Sequence, residues 1–213
     1  MPSLKGLVVR LRKEGILHTW RAFVAALVPY HFGVYELVQA TKPGTPPPFP
    51  IVQGLEGLRT LRSRRTDLPA DYFRDEAGAA EVCFAATVEE GLAGVLWILD
   101  TTHPSRFIDL APDSVELAYV HVHPEFRGRG IAKAMILEAS HRMRCRGYDR
   151  VFAVIDERNL SSQRAFGAVG FRHIAALRRP ALFGPRYIAS EARVEIWRNA
   201  LVRLTRGRSQ CRA

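Results

Sequence analysis

A basic, glycine-rich turn stands between an apolar run and a helical pattern near the middle of the chain. The apolar run covers residues 115–122, and Arg127-Gly128-Arg129-Gly130 follows shortly after it. Where a strand bends through glycines into a helix, the N–H groups of the helix's first turn have no partner within the helix and all point in the same direction. The helix dipole adds positive potential at that end, so the turn attracts anions. Glycine also lets a bulky anion approach the backbone. The pattern predicts a pyrophosphate-binding turn, with a solvated surface turn as the alternative.

Two common phosphate-binding motifs are excluded at this turn. No Gly-Lys-Ser/Thr follows the glycines, so the turn is not a nucleotide P-loop, and the G-x-G-x-x-G spacing of a dinucleotide site is also absent. The stretch Arg127-x-x-Gly130-x-Ala132, entered through Val122-His123-Pro124, instead resembles the R/Q-x-x-G-x-G/A signature of the GNAT superfamily of acyl-CoA-dependent N-acetyltransferases.

A second stretch, further along the chain, supports the same resemblance. It runs from Asn159 to Phe171 and is similar to the family's N-x-x-A/S-x-x-x-Y-x-x-x-G-F segment, with Ser162, Phe166 and Gly170 at the matching positions. The two motifs occur in the family's order and at its spacing. The departure is Phe166, which occupies the place of the usual tyrosine.

The resemblance implies an α+β (mixed α/β) fold. Its central mixed sheet would have six to seven strands, splayed apart at two adjacent parallel strands and flanked by helices. The acetyltransferase domain would cover residues 51–197. Residues 1–50 would hold a basic helix, a strand and a proline-rich linker, and residues 198–213 a basic C-terminal tail.

The resemblance also implies that the chain uses acetyl-CoA as co-substrate, with no metal, and transfers the acetyl group by direct attack of an amine. The pyrophosphate would lie on residues 127–132, and the backbone of residues 120–122 would meet the pantetheine and the thioester. The implied cofactor-binding residues are Val120, His121, Val122, Arg127, Gly128, Arg129, Gly130, Ile131, Ala132, Asn159, Ser162 and Phe166. For Asn159, a helix N-cap is the alternative role.

Glu116 is the candidate general base. It lies on the apolar strand eleven residues before Arg127, where the histone-acetylating branch of the superfamily has its catalytic glutamate. A carboxylate on such a strand is costly to bury unless it is paired or used. A structural ion pair with an arginine is the alternative, and His121 and His123 are rival bases.

The general acid is open, because Phe166 cannot donate a proton. Tyr119, Tyr187 or solvent could protonate the leaving thiolate.

The alternative function is a non-catalytic acyl-CoA-binding module, held at an anionic surface by its basic termini. The sequence does not identify the acceptor amine.

Positive charge is concentrated at the two ends of the chain. The net charge is +10 over 213 residues; residues 1–21 hold five basic residues against one acidic, and residues 193–213 hold six against one. Such ends suit peripheral association with an anionic membrane, and plain solubility is the alternative. Nucleic acid is disfavoured because no DNA- or RNA-reading motif is present. An oligomer is compatible with the sequence.

Three scattered cysteines, without metal-ligand spacing or a disulfide framework, favour a reducing, cytoplasmic compartment.

Hydrophobic periodicity and turn residues predict the secondary structure. The expected elements are a broken helix over 3–28, a strand over 31–40, helices over 53–65 and 69–78, a hairpin of 81–90 and 93–101 turning at Gly91, a strand over 115–122, a helix over 130–146, a strand over 150–156, a helix over 161–169, and strands around 172–179 and 186–197.

Overall fold

The computed structural model describes residues 30–38, 49–105, 107–179 and 188–189, together with Ile16. Apart from Ile16, the helix expected over 3–28 lies outside these residues, as do Tyr187, the tail over 198–213 and most of the proline-rich segment. Among the helices of the described residues, none has the length and apolar character needed to cross a membrane.

One mixed sheet of eight strands organises the described residues, in the order β2-β3-β4-β5-β6-β1-β7-β8. The strands are β1 (Tyr30–Leu37), β2 (Ile51–Gln53), β3 (Val82–Val88), β4 (Gly91–Leu99), β5 (Ser114–Val122), β6 (Arg150–Asp156), β7 (Phe171–Arg179) and β8 (Ile188–Ala189). Only β5 and β6 run parallel among the described pairs. The expected mixed sheet with one parallel pair is confirmed. Strand β8 lies within the strand predicted around 186–197. The eighth strand, β2, was not expected, because an edge strand of three residues carries little hydrophobic pattern.

Three helices are described: α1 (Leu55–Arg62), α2 (Ile131–Cys145) and α3 (Leu160–Gly167). They confirm the helices predicted over 53–65, 130–146 and 161–169. The helix predicted over 69–78 is wrong: a four-residue 3₁₀ turn, Ala70–Phe73, stands there. Pro69 is extended and Gly78 turns left-handed at φ 63°, so few residues are left between them to form a stable helix.

Strands β3 and β4 form the expected hairpin, but its turn lies earlier than predicted. Glu89 and Glu90 carry it, with φ angles of 50° and 62°, and Gly91 is already the first residue of β4. A two-residue turn with both φ angles positive matches the twist of its strands. Because two non-glycine residues form the turn, the prediction that relied on Gly91 placed the turn too late in the chain.

The sheet is covered on both faces. On one face α2 buries Ile131, Met135, Ile136, Ala139 and Met143 against the sheet. On the other face α1 and the 3₁₀ turn bury Leu58, Tyr72 and Phe73 against β3 and β4. The central residues of β3 and β4 are accordingly buried on both sides, which explains why these strands read as continuous apolar runs.

Strand β1 lies in the middle of the sheet, antiparallel to both β6 and β7. Glu36 of β1 accepts two hydrogen bonds from the Arg150 guanidinium of β6, at 2.6 and 2.9 Å. The Arg150 side chain is 6% exposed, and its guanidinium carbon lies over the Phe152 ring, 4.6 Å from the ring centroid. Residues before position 50 thus contribute a strand to this sheet; the domain boundary at that position stays a prediction.

Replacing Arg150 with Ala is expected to lower the free energy of unfolding by about 3 kcal/mol, because the Arg150 side chain, 6% exposed, loses its packing on Phe152 and the partly buried Glu36 carboxylate loses its bidentate partner. Urea denaturation followed by circular dichroism measures the change. Arg142→Ala is the control: its pair with Glu138 lies on the surface of α2, with Arg142 49% exposed, and its loss should cost no more than about 0.5 kcal/mol. Equal losses in the two variants would show that the buried pair does not anchor β1.

Candidate active site

A cleft opens between β5 and β6 because the two parallel strands pair for only three residues. The paired residues run from Ser114 opposite Arg150 to Glu116 opposite Phe152, and the strands separate beyond them. The cleft has a volume of about 200 Å³. It is lined by Leu99, Phe107, Glu116, Leu117, Ala118, Tyr119, Val120, Val154, Ile155, Asp156, Asn159, Ser162 and Phe166.

A β-bulge shapes the β5 wall of the cleft. Ala118 pairs with Trp97 and His121 pairs with Val95, so two residues of β5 lie opposite one residue of β4. The bulged Tyr119 has a φ of 49°, a left-handed conformation that costs a non-glycine residue about 1 kcal/mol or more. A bulge takes a residue out of the hydrogen-bonded ladder. Backbone groups of Tyr119 and Val120 are therefore directed away from β4 at the place where both residues line the cleft.

Glu116 lies at the point where β5 and β6 begin to separate, and it is 3% exposed. Its ladder neighbours are Leu99 of β4 and Phe152 of β6, both buried and apolar. Tyr119 stands three residues further along the same strand, half-buried at the cleft wall. The structure thus brings both predicted catalytic residues to one cleft.

The glycine-rich turn lies beyond the far end of β5 and does not line this cleft. Gly128 and Gly130 have φ angles of 79° and 77°, and a Cβ on either residue would project into open space. Gly130 precedes the first residue of α2, and no side chain caps that end of the helix. In the described chain no backbone or side-chain acceptor bonds the N–H groups of residues 128–132. These groups fit an external anion such as a pyrophosphate.

The remaining predicted cofactor residues divide between the cleft and the turn. Val120, Asn159, Ser162 and Phe166 line the cleft; His121, Val122, Arg127 and Ile131 do not. Arg127 donates from Nε to the Val122 carbonyl at 3.1 Å, which ties the turn to the end of β5. The predicted residues therefore divide between the cleft and the turn after β5, except Ile131, whose side chain is 1% exposed and packs in the core.

Asn159 caps α3. Its Oδ1 accepts hydrogen bonds from the Ser162 backbone N–H at 3.1 Å and from the Ser161 hydroxyl at 2.9 Å. The N-cap reading is thus correct, and it uses only the carbonyl oxygen of the side chain. Phe166 is 3% exposed and packs edge-to-face on Phe171 with ring centroids 4.9 Å apart, so it is a core residue as well as a cleft wall.

The two histidines near the end of β5 contact carboxylates rather than the cleft. His121 Nδ1 lies 3.6 Å from Asp71, and His123 lies 3.0 Å from Asp67 and 3.2 Å from Glu125. Arg65 donates to Asp67 and Glu125, both at 2.9 Å. Hydrogen bonding to Arg65 lowers the pKa of Asp67 to about 2.

The ligand atoms of Asp67, His123 and Glu125 all lie within 4.8 Å of one another, close enough to hold a metal ion. The Arg65 guanidinium already supplies positive charge to both carboxylates. The arrangement therefore behaves as an ion-pair network that ties the segment after α1 to the turn after β5.

The sequence analysis missed a group of residues on the 3₁₀ turn. Asp71 pairs with Arg74, and the Arg74 guanidinium lies over the Tyr119 ring, 3.9 Å from its centroid. Burial opposes ionisation of Asp71, but the neighbouring His121 and the charge of Arg74 outweigh it and hold the pKa of Asp71 below its usual range. The spacing of an acidic and a basic residue three apart was the only signal, and such pairs are common.

Comparisons with known proteins agree with this geometry. The acetyltransferase (GNAT) family matches residues 50–171, more than half of the chain. This chain belongs to the acetyltransferase (GNAT) family.

Individual relatives are more distant. The mycothiol acetyltransferase of Thermobispora bispora is 38% identical over 56 residues, which cover 26% of this chain and 19% of that protein. A GNAT-family acetyltransferase of Colwellia psychrerythraea is 15% identical, with 83% of this chain and 72% of that chain covered at a TM-score of 0.51, and shares the fold. One from Novosphingobium aromaticivorans is 20% identical, with 71% and 63% covered at a TM-score of 0.48. The match thus spans about a fifth of the length of the curated relative.

Proposed function

We propose that this chain transfers an acetyl group from acetyl-CoA to an amine. The observation that carries the proposal is the separation of β5 from β6 directly after Glu116, beside a bulge at Tyr119. Membership of the acetyltransferase (GNAT) family supports it. The acceptor amine is not identified.

Acetyl-CoA binding is assigned to the turn at residues 128–132 and to the cleft between β5 and β6. The N–H groups of residues 128–132 bond the pyrophosphate, and the dipole of the fifteen-residue helix α2 adds to their attraction. Val120, Asn159 and Phe166 hold the pantetheine arm in the cleft, with the Asn159 amide group available as a donor. The residues that line the cleft are mostly apolar, which suits the pantetheine arm and the thioester.

Catalysis is assigned to Glu116 and the bulge. A backbone N–H of the bulge stabilises the oxyanion that forms when the amine nitrogen attacks the thioester carbon. Glu116 accepts the proton that the amine loses, directly or through one water. The C–S bond then breaks, and the thiolate takes a proton from the Tyr119 hydroxyl or from solvent.

Phe166 limits the choice of general acid. Its ring packs against Phe171 and carries no proton to donate. Tyr119 is the tyrosine among the residues that line the cleft. Among the described residues this leaves Tyr119 as the side-chain acid, with solvent and Tyr187, which lies outside those residues, as its competitors.

Replacing Tyr119 with Phe is expected to lower kcat by about tenfold and leave the KM for acetyl-CoA unchanged, because solvent takes over the proton transfer less efficiently. Adding Phe166→Tyr to this variant should recover part of the loss, since it puts a hydroxyl on a second wall of the same cleft. Steady-state kinetics on both variants make the test. Unchanged kcat in Tyr119→Phe would assign protonation to solvent.

The second candidate is a non-catalytic acyl-CoA-binding module, and Phe166 is the observation that favours it. The two candidates separate in one experiment: acetyl-CoA is titrated calorimetrically, and CoA release is then followed with a panel of amines. Tight binding with amine-dependent release supports the transferase. Tight binding with no release above hydrolysis for any amine supports the module. Its attachment to an anionic surface and a cytoplasmic location stay predictions of the sequence.

A further inference from the structure

The 3₁₀ turn Ala70–Phe73 makes contacts on both sides of the β5 bulge. Trp97 Nε1 donates to the Asp71 carbonyl at 2.8 Å, and Trp97 pairs with Ala118, the last ladder residue before the bulge. On the other side, His121 resumes the ladder. Its ring meets Tyr72 edge-on, with centroids 5.3 Å apart, and its Nδ1 lies 3.6 Å from Asp71.

Between these two attachments, the turn also reaches the bulged residue itself. Arg74, one residue beyond the turn, places its guanidinium 3.9 Å from the centroid of the Tyr119 ring. A guanidinium at this distance over an aromatic face is attracted by the ring's quadrupole. Asp71 pairs with the same guanidinium and fixes its direction.

Tyr119 needs such support because its backbone is strained. A left-handed φ at a non-glycine residue persists only where the surroundings determine it. The ladder fixes Ala118 and His121, but it does not fix the ring of Tyr119, which lies with Val120 between them. Arg74 supplies the contact that fixes the ring.

We propose that Arg74 is a positioning residue, which holds the Tyr119 ring at the wall of the cleft while Asp71 fixes the guanidinium. This rests on the proposed acetyl transfer, in which the Tyr119 hydroxyl meets the leaving thiolate. Arg74 acts through Tyr119 and does not touch the reacting atoms. Since the pKa of Asp71 is held below its usual range, the carboxylate is charged throughout the neutral pH range and the pair with Arg74 is retained there.

The first test reads the position of Tyr119 without any turnover. The chain is labelled with 3-fluorotyrosine and studied by fluorine NMR. The Tyr119 resonance is assigned as the one that is absent from the spectrum of Tyr119→Phe. Arg74→Ala is expected to shift and broaden this resonance, and Arg74→Lys, which keeps the cation, should restore most of its sharpness. Arg65→Ala is the control, because Arg65 lies over Phe126 at 5.8 Å and away from the bulge. A Tyr119 resonance that is unchanged in Arg74→Ala would overturn the proposal.

The second test uses kinetics. Arg74→Ala should lower kcat by about tenfold with the Kd of acetyl-CoA unchanged, and it should add no further loss in the Tyr119→Phe background. A loss of the same size in both backgrounds would mean that Arg74 does not act through the Tyr119 hydroxyl. If the unmodified chain transfers acetyl to no amine, the proposed function fails, while the fluorine experiment still decides whether Arg74 positions Tyr119.

Discussion

Replacing Glu116 with Gln is expected to lower the turnover of acetyl transfer by about a hundredfold and to leave the affinity for acetyl-CoA unchanged. Gln has the shape of Glu but cannot accept the proton that the attacking amine must lose. In the proposed complex the pyrophosphate lies on the turn at residues 128–132 and the pantetheine arm meets Val120, Asn159 and Phe166, so the ground-state complex should form as before. Steady-state kinetics and calorimetry with acetyl-CoA measure the two effects separately.

Glu138→Gln is the matched control for this substitution. Glu138 lies on α2, outside the cleft, and pairs with Arg142, which is 49% exposed, so the same chemical change there should leave turnover within about twofold. Wild-type turnover in Glu116→Gln would assign Glu116 to structure. A parallel loss of acetyl-CoA affinity would show that the residue shapes the binding surface instead of taking the proton.

The second large effect concerns binding. Gly130→Val is expected to raise the Kd of acetyl-CoA at least tenfold, which corresponds to about 1.4 kcal/mol. Gly130 has a φ of 77°, which a β-branched residue rarely adopts, and the added side chain would project into the open space that the proposal gives to the pyrophosphate. Calorimetric titration of the folded variant gives the change in Kd.

A control variant must distinguish the effect of backbone strain at Gly130 from the effect of blocking the anion site. Gly147, just beyond the other end of α2, has a φ of 90° and an equally open surrounding. Gly147→Val therefore carries a similar backbone penalty at a place that has no role in binding, and it should leave the Kd unchanged. If both variants weaken binding equally, the turn at residues 128–132 is not the pyrophosphate site.

The elements that carry the site were predictable because their sequences contain strong local signals. The apolar run of β5 and the glycines before α2 fixed a strand, a turn and a helix at the right residues. The capping residue Asn159 marked the start of α3. In each case a short-range physical cause, either hydrophobic periodicity or the backbone freedom of glycine, determines the local structure.

The rest depends on contacts that are distant in sequence. Nothing local in residues 30–37 shows that β1 lies between β6 and β7, because that place is determined by pairing with strands more than a hundred residues away. The bulge at Tyr119 follows from a one-residue mismatch between β5 and β4. Arg74 reaches Tyr119 only because the chain folds the 3₁₀ turn onto that bulge.

The most direct measurement is a crystal structure of the chain with acetyl-CoA. The account predicts pyrophosphate oxygens about 3 Å from backbone nitrogens within residues 128–132. It also places the thioester between β5 and β6, beside Tyr119 and within one water of Glu116. Acetyl-CoA bound away from the 128–132 turn, or a thioester outside the cleft between β5 and β6, would contradict it.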